Sequence, residues 1–349
     1  MVRRILVTGT EGQVVGSLVE RAKNRNDIEL ILIGLPELDL TDTARIAPAI
    51  ERVRPDVILS VAAYTAVDQA ESEEATANLV NGIAVGEIGR AAARLGVPVV
   101  HLSTDYVFDG AKPSAYVETD ATGPVGAYGR TKLAGELALA AASANYAVLR
   151  TAWVYSPFGK NFVKTMLRLA ETRDTVGVVA DQHGNPTSAL DIADGLLTVA
   201  DNLLASADPG LRGTFHMTGA GRTTWADFAE EIFRLSAAAG GPSVNRSTGS
   251  RPRTIRRRPS ARPTPNSIAP RSPPCTASSC RIGINRLPRW SAVFSAIRPE
   301  FDQGIRGFDD EGHHSRGRQR HAALSNDDGR FQAADAGLRQ ADDLGRVVS

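Results

Sequence analysis

The sequence predicts an α/β fold built on a doubly wound parallel sheet, and three observations support this prediction. Short runs rich in β-branched residues alternate with helical patterns from residue 1 to about residue 243. The runs are continuously apolar, as expected for strands that are covered by helices on both faces. A glycine-rich turn directly follows the first run, as in the βαβ units that bind nucleotides.

The predicted elements alternate along this part of the chain. The predicted strands are Ile5–Val7, Leu30–Ile33, Val57–Val61, Val97–Leu102, Ala147–Leu149 and Val176–Val179. Helical patterns lie between them, for example at Ala44–Arg52, Ala84–Leu95 and Thr131–Ala141. A further strand at Gly213–Met217 and a helix that opens at Thr223–Trp225 predict a smaller C-terminal lobe.

Composition restricts the class of protein. The 349 residues suffice for two domains, and the formal net charge of +1 gives no reason to expect a nucleic acid or a membrane as partner. Two cysteines, Cys275 and Cys280, are too few for a disulfide scaffold and lack metal-ligand spacing. The first apolar run is too short for a signal peptide, so a cytoplasmic protein is expected.

A glycine-rich segment joins the first strand to the first helix. Gly9 and Gly12 belong to it, and its third glycine is displaced from the G-x-G-x-x-G spacing of many dehydrogenases. Glycines let the backbone approach a pyrophosphate, which the helix N-terminus then stabilises. The segment predicts a Rossmann-like dinucleotide site, although a purely structural turn also uses glycines. The second strand ends at Gly34 rather than at an acidic residue, which leaves both NADH and NADPH open.

A second group of polar residues follows the fourth strand. Ser103 and Thr104 lie at its carboxyl end, the edge where open α/β sheets bind ligands. Tyr128 and Lys132 are four residues apart and therefore share a helix face. Reduction of a ketone by hydride needs a proton for the developing alkoxide, and a phenol becomes a useful acid when a nearby ammonium stabilises its anion.

The spacing therefore predicts that Tyr128 donates the proton and that Lys132 lowers the pKa of the phenol and contacts the nicotinamide ribose. Thr104 is predicted to donate a hydrogen bond to the substrate oxygen. The alternative is that the Tyr-x-x-x-Lys pair is only a contact on a helix surface.

Several sequence blocks resemble the dTDP-4-dehydrorhamnose reductases, a family within the extended short-chain dehydrogenases/reductases. The resemblance covers residues 1 to about 243. The blocks are GTEGQV at 9–14, RPDVI at 54–58, AAYTAVDQAE at 62–71, STDYVF at 103–108, YGRTKLAGE at 128–136, RTAWVY at 150–155, NFVKTM at 161–166 and DQHGNPT at 181–187.

This resemblance implies reduction of the C4 ketone of dTDP-4-dehydro-L-rhamnose by NADPH or NADH, in the biosynthesis of dTDP-rhamnose for cell-surface polysaccharides such as lipopolysaccharide. It implies that Tyr128, Lys132 and Thr104 are catalytic and that Thr104, Asp105 and Trp153 contact the sugar nucleotide. For Trp153 the alternative is simple packing. The implied cofactor-binding residues are Gly9, Gly12, Gln13, Val14, Asp39, Leu40, Ala63, Tyr64, Thr65, Tyr128 and Lys132.

The resemblance also implies a homodimer. Some members bind magnesium at a dimer interface through glutamates, but Ser17 stands at one of those positions here, so no metal is expected. Three alternatives remain open at this point. One is a catalytically silent NAD(P)-binding regulatory subunit, and another is an epimerase or dehydratase of sugar nucleotides. The third is that the chain is inactive because of its altered C-terminus, or that the arginine-rich tail binds nucleic acid adventitiously.

The predicted domain boundaries follow from these patterns. Residues 1–150 form a NAD(P)-binding Rossmann domain that carries the catalytic residues, and residues 151–243 complete the sheet and form a small, incomplete substrate lobe. Residues 244–349 are expected to form an unrelated, disordered tail. Arginine and proline crowd the stretch from Arg251 to Pro274, and hydrophobic periodicity ends there.

The tail has the properties of a frameshift product. The family continues with Tyr-Pro-Thr-Pro-x-x-Arg-Pro-x-x-Ser-x-x-Asp, and a neighbouring reading frame of Thr254–Ser260 permits the start of that segment. A neighbouring frame of Asp310–His321 likewise permits the opening of a glucose-1-phosphate thymidylyltransferase.

Sequencing of the gene tests this interpretation. A shift of frame near codon 245 is expected, followed by an open neighbouring frame that encodes the family segment. An intact frame without such open neighbouring frames would refute the interpretation and make residues 244–349 a genuine extension.

Overall fold

A computed structural model describes residues 2–244 and 246–250 of the protein. Its strands are β1 (Arg3–Thr8), β2 (Ile28–Ile33), β3 (Val57–Ser60), β4 (Val99–Thr104), β5 (Tyr146–Thr151), β6 (Val154–Tyr155), β7 (Thr175–Val179), β8 (His183–Gly184), β9 (Thr187–Ser188), β10 (Gly213–His216), β11 (Thr223–Thr224) and β12 (Arg246–Ser250). Its helices are α1 (Gln13–Ala22), α2 (Thr43–Val53), α3 (Val67–Ala70), α4 (Glu74–Asn78), α5 (Ala84–Leu95), α6 (Ala127–Ala142), α7 (Phe162–Ala170), α8 (Ala189–Ala205) and α9 (Trp225–Ala238).

Six strands form a parallel sheet in the order β2-β1-β3-β4-β5-β10, which confirms the predicted fold class. The strand order reverses between β1 and β3. In open α/β sheets, ligands bind at such a reversal, outside the carboxyl ends of the strands. The topology therefore locates the expected crevice next to the turn between β1 and α1.

Helices cover both faces of the sheet. On one face, Ile5 and Val7 pack with residues of α1 and α8. On the other face, Leu6 packs with residues of α2 and α5. Successive residues of a strand point to opposite faces, so a continuously apolar strand supplies both cores at once. This is why the strand runs lack the polar alternation of a sheet that has one wet face.

One predicted strand forms, but it does not belong to the main sheet as predicted. Val176–Val179 was predicted to continue the series of sheet strands, but it lies in β7, which pairs in parallel with β12 outside the main sheet. The sixth strand is instead β10, from the segment predicted to form the C-terminal lobe. The buried residues of β7, Val176 and Val178, alternate with exposed ones, as expected for a strand with one covered face.

The C-terminal lobe has its own apolar cluster. Side chains of α7, β7 and α9 form it, with Phe228 and Ile232 among the most deeply buried. Strand β12 lies beyond the predicted boundary at residue 244, and its backbone pairing with the edge of β7 requires no apolar side chains. The rest of the predicted tail, residues 251–349, lies outside the described residues.

A stretch of π-helix interrupts the helical segment that packs against α6. It covers Leu79–Ile83, between α4 and α5. Gly135 of α6 faces it so closely that a Cβ atom there would overlap the carbonyl oxygen of Asn81. This close approach leaves α6 little freedom to shift against the π-helical segment. Such segments are rare, and here one lies at the contact between the two helical segments. Across the described residues, no helix is both long and apolar enough to cross a membrane.

Replacement of Gly135 tests that packing. Gly135→Ala is expected to destabilise the fold by about 2 kcal/mol, since the new methyl group meets backbone atoms that cannot turn aside. In an unhindered helix the same change stabilises by about 1 kcal/mol. The sign of the change in unfolding free energy therefore shows whether the close contact at Gly135 exists. Urea unfolding measures it. Gly123→Ala, whose Cβ would meet only the Cβ of Asp109 at 3.7 Å, is the control and should unfold like the wild type.

Candidate active site

The candidate site lies at the carboxyl ends of the central strands. The turn after β1, the loop after β3 and the residues after β4 meet at this edge, beside the reversal of strand order. Helix α6 crosses the same edge and packs against the end of β4. The topology thus brings the glycine turn, Thr104 and Tyr128 to one side of the sheet.

The glycine turn has the backbone geometry of an anion site. Gly9 has a φ of 96° and Gly12 a φ of 108°, values that strongly favour glycine. Helix α1 begins directly after Gly12, and its first turn contains no acidic residue. The side-chain oxygen Oε1 of Gln13 is buried without a hydrogen-bond partner among the described residues. Free helix N–H groups fit the pyrophosphate of a dinucleotide, whereas the Gln13 oxygen can only accept and so fits a donor such as a ribose hydroxyl.

The loop after β3 forms a second wall of this crevice. The Thr8 hydroxyl accepts hydrogen bonds from the N–H groups of Val61 and Ala62, at 3.0 and 3.1 Å. The Asn81 side chain then brackets Tyr64: its Oδ1 accepts from the Tyr64 N–H at 2.9 Å, and its Nδ2 donates to the Tyr64 carbonyl at 3.0 Å. Residues 63–65, predicted to bind the cofactor, therefore have a fixed path beside the glycine turn.

Two other predicted cofactor residues already have partners in the protein. The Asp39 carboxylate accepts hydrogen bonds from the hydroxyl and the N–H of Thr41, which lower its pKa. Leu40 packs against the apolar residues beneath α2 and α5. The role of both residues in cofactor binding stays a prediction.

The start of α6 is held by a segment that precedes it by more than 50 residues. Oε1 of Glu71 accepts a hydrogen bond from the N–H of Ala127 at 2.7 Å, in place of a local capping side chain. Arg130 forms a two-pronged ion pair with Glu74 at 2.8 and 2.9 Å. These contacts place Tyr128 in the first turn of α6, with Lys132 one turn further on.

Tyr128 and Thr104, both predicted to act on the substrate oxygen, lie near each other. The Tyr128 hydroxyl lies near the Thr104 side chain, which acts to lower its pKa, and its ring lies edge-on to Tyr106 at 5.5 Å between centroids. Burial raises the pKa of Tyr128 well above its ordinary value, and the nearby Tyr106 and Asp105 raise it further. The phenol is therefore neutral near pH 7 and holds a proton that it can donate.

Lys132 contacts β4 in this structure, and its predicted acidification of the Tyr128 phenol stays a prediction. The Lys132 ammonium donates to the carbonyl of Leu102 at 2.8 Å and contacts Nε2 of His101 at 3.2 Å. Four-residue spacing does place both side chains on one face, but the long lysine chain reaches past the phenol to β4. Burial lowers the pKa of Lys132 to about 8, and Glu136 partly offsets the effect.

A buried ion pair lies one further turn along α6. Nη2 of Arg150 on β5 contacts Oε2 of Glu136 at 2.6 Å, and the Ser103 hydroxyl donates to Oε1 at 2.5 Å. Both charged side chains are more than nine-tenths buried. The pair ties α6 to β4 and β5 directly behind the candidate catalytic residues.

The predicted substrate residues occupy two different surroundings. Asp105 lies next to Thr104, and burial raises its pKa to about 6. Trp153 has a φ of 46° and stacks on Trp225 with 3.6 Å between ring centroids. A Cβ on Gly184 would overlap the Trp153 ring. One face of Trp153 is therefore used in packing, and contact of its other parts with a sugar nucleotide stays a prediction.

Sequence reasoning missed His101, Asn81 and Glu71. A histidine in the middle of an apolar parallel strand was a detectable feature, since a buried polar group must find a partner. Asn81 and Glu71 act on distant backbone groups, so their spacing in the sequence gave no indication of their role.

Comparison with known proteins gives a consistent result. Residues 3–271 match the family described as RmlD substrate binding domain, a match that continues past residue 243, where the sequence blocks predicted its end. The chain is 52% identical over 232 residues to the dTDP-4-dehydrorhamnose reductase of Sinorhizobium fredii (strain NBRC 101917 / NGR234), covering 66% of this chain and 78% of that one.

Solved structures agree with this match. A dTDP-4-dehydrorhamnose reductase from Clostridium acetobutylicum has a TM-score of 0.66 and 38% identity, covering 73% of this chain and 86% of that one. The enzyme from Bacillus anthracis, solved in complex with NADP, has a TM-score of 0.66 and 34% identity, covering 72% and 85%.

A substitution in the glycine turn tests the dinucleotide site. Gly12→Ala is expected to weaken NADPH binding at least tenfold, because a φ of 108° strains any other residue and shifts the N–H groups of α1. Fluorescence titration with NADPH measures the change. Gly96→Ala is the control, since Gly96 also has a positive φ, of 71°, at the far end of α5. Equal loss of affinity in both variants would contradict the assignment.

Proposed function

The chain belongs to the dTDP-4-dehydrorhamnose reductase family, and we propose that it reduces the C4 ketone of dTDP-4-dehydro-L-rhamnose to give dTDP-L-rhamnose. The observation that supports this most is that the Tyr128 hydroxyl lies near the Thr104 side chain at the edge of the sheet where the glycine turn also lies. It places a neutral phenol and an alcohol together where the sheet would hold a nicotinamide and a ketone.

The cofactor would be held by the glycine turn, by residues 63–65 and by Lys132. When bound, NADPH or NADH supplies a hydride for the C4 carbon of the sugar. The solved relative with NADP supports the phosphorylated cofactor. Gly34, rather than an acidic residue that would repel a 2′-phosphate, follows β2.

The protein residues manage the proton. As negative charge develops on the C4 oxygen, Thr104 and Tyr128 both donate hydrogen bonds to it, and the Tyr128 proton passes to the oxygen to complete the alcohol. The raised pKa of Tyr128 keeps the phenol protonated before reaction. The phenolate that remains is stabilised by the Lys132 ammonium, which keeps its contacts on β4 and has a third N–H left, and it regains its proton from solvent.

Asp105 supports this assignment of roles through its charge. Its carboxyl lies beside both Thr104 and Tyr128, and its ionised form disfavours the phenolate. A negative group there keeps the phenol protonated and accepts hydrogen bonds from sugar hydroxyls. This is the substrate contact proposed for Asp105, whereas Trp153 is proposed to present an edge of its stacked ring to the sugar nucleotide.

The two alternative functions make different predictions about the cofactor. A silent regulatory subunit would bind NADPH without consuming it, and an epimerase or dehydratase would recycle it. The presence of Tyr128, Thr104 and Lys132 at one edge of the sheet favours an enzyme over a non-catalytic regulatory subunit. Relatives named as dTDP-4-dehydrorhamnose reductases favour net reduction over recycling.

The proposal extends to the setting of the reaction. The reduction belongs to dTDP-rhamnose biosynthesis for cell-surface polysaccharide. We propose that it takes place in the cytoplasm and that the active enzyme is a homodimer. Light scattering of the purified chain tests the dimer directly.

Replacement of the phenol tests the reaction. Tyr128→Phe is expected to lower kcat for NADPH oxidation with dTDP-4-dehydro-L-rhamnose by about 100-fold or more, because the proton donor is lost while the packing stays. The fall in NADPH absorbance measures the rate. Cofactor affinity should change little.

Tyr146→Phe serves as the control, since Tyr146 begins β5 at the opposite, amino-terminal edge of the sheet. It should retain wild-type activity. Equal activity of wild type and Tyr128→Phe would contradict the proposed role, and NADPH binding by the wild type without any consumption would favour the regulatory alternative.

A further inference from the structure

A buried histidine contacts the candidate catalytic lysine from within the sheet. His101 lies in the middle of β4, with no exposed surface, and is paired in register with Ser60 of β3. Its ring lies between β3 and α6: Nδ1 is 3.1 Å from the Ser60 hydroxyl of β3, and Nε2 is 3.2 Å from Nζ of Lys132 on α6. A polar bridge of this kind is unusual in the core of a parallel sheet and needs a reason.

The protonation state of the ring follows from its neighbours. Burial lowers the pKa of His101 well below its ordinary value, and the charge of Lys132 lowers it further, so the ring is neutral. An ammonium group can only donate hydrogen bonds, and therefore Nε2 must accept. The ring proton is then on Nδ1, which donates to the Ser60 hydroxyl. Lys132 thus selects the tautomer, and the Ser60 hydroxyl, which can accept as well as donate, accommodates it.

The two contacts on β4 also define the direction of the ammonium. Of its three N–H groups, one is directed to the Leu102 carbonyl and one to His101, which leaves the third for the crevice. The charge of Glu136 on α6 raises the pKa of Lys132, but that carboxylate is itself held by Arg150 on β5 and by Ser103 on β4. Tyr128 lies on the same helix, and from β3 only the neutral Ser60 faces this group.

We propose that His101 is a positioning residue for the ketone reduction, acting through Lys132: its neutral ring holds the ammonium charged and oriented, with one N–H left for cofactor and phenol. The inference rests on the proposed function for its catalytic meaning. The hydrogen-bond arrangement itself can be tested without any turnover.

The first test is an NMR titration of the lysine side chains in the full-length chain without cofactor. The sequence contains five lysines, so ¹³C-labelled ε-methylene groups give few signals, and Lys132→Met assigns the one of interest. In His101→Leu the pKa of Lys132 is expected to fall by about one pH unit, since the charged form loses a strong hydrogen bond. In His101→Gln, the Oε1 atom of the glutamine can accept the hydrogen bond in place of Nε2. The pKa of Lys132 should then stay within about 0.3 pH units of wild type.

Val100→Ala is the matched control. Val100 precedes His101 in β4 and is fully buried in the apolar core, so its truncation weakens the same strand without removing an acceptor from Lys132. Its Lys132 titration should match wild type even if its thermal stability falls as far as that of His101→Leu.

The second test follows the reaction. The rate is expected to fall as pH rises through the pKa of Lys132, because only the ammonium stabilises the phenolate. For His101→Leu this decline should begin about one pH unit lower, which makes kcat about fivefold lower than wild type at pH 8 and close to wild type at pH 6. His101→Gln should restore the wild-type profile, with KM for the sugar nucleotide unchanged in both.

These outcomes separate the inference from the function on which it rests. An unchanged Lys132 titration in His101→Leu, or an equal shift in Val100→Ala, overturns the positioning role whatever the activity. A shifted titration supports it even if the wild-type chain fails to reduce the keto-sugar, a result that would count against the proposed function alone. A uniform loss of kcat at all pH values, not restored by His101→Gln, also overturns it.

Discussion

An ammonium group buried against the end of β4 is the constraint on which the rest of the site depends. Lys132 is 2% exposed, and a charge at such depth is tolerated only where its hydrogen bonds are satisfied. The Leu102 carbonyl and the ring of His101 meet that need from the sheet. Because both acceptors belong to one strand, α6 has a single rotation about its axis that satisfies them. That rotation also brings Tyr128 to Thr104.

Further contacts maintain this rotation from both ends of the helix. Glu71 holds the first turn of α6, and the buried pair of Glu136 and Arg150 holds its third. The close approach of Gly135 to the π-helical segment leaves no room for sliding between them. Since Arg150 engages Glu136, this carboxylate does not form an ion pair with Lys132, and the ammonium keeps an N–H for the crevice. The structural ion pair and the candidate catalytic cation are thus separated by one helical turn.

The sequence predicted the features whose chemistry is local. The glycine turn follows from backbone geometry, and the shared face of Tyr128 and Lys132 follows from helical spacing. The direction of the Lys132 side chain could not be predicted, because it depends on His101 and on a carbonyl that only strand pairing brings near. Glu71 and Asn81 were missed for the same reason. The sixth strand of the main sheet is β10 rather than the predicted β7. This could not be predicted, because a short apolar run does not specify which sheet it joins.

Isotope transfer tests the central claim of this account, that the site delivers a hydride to the C4 carbonyl carbon while Tyr128 protonates its oxygen. NADPH that carries deuterium at both C4 positions of the nicotinamide would be incubated with dTDP-4-dehydro-L-rhamnose and the wild-type chain, and the product examined by NMR. We expect one deuterium in the product, bound to C4 of the sugar. A product without deuterium, or with deuterium at C3 or C5, would contradict it.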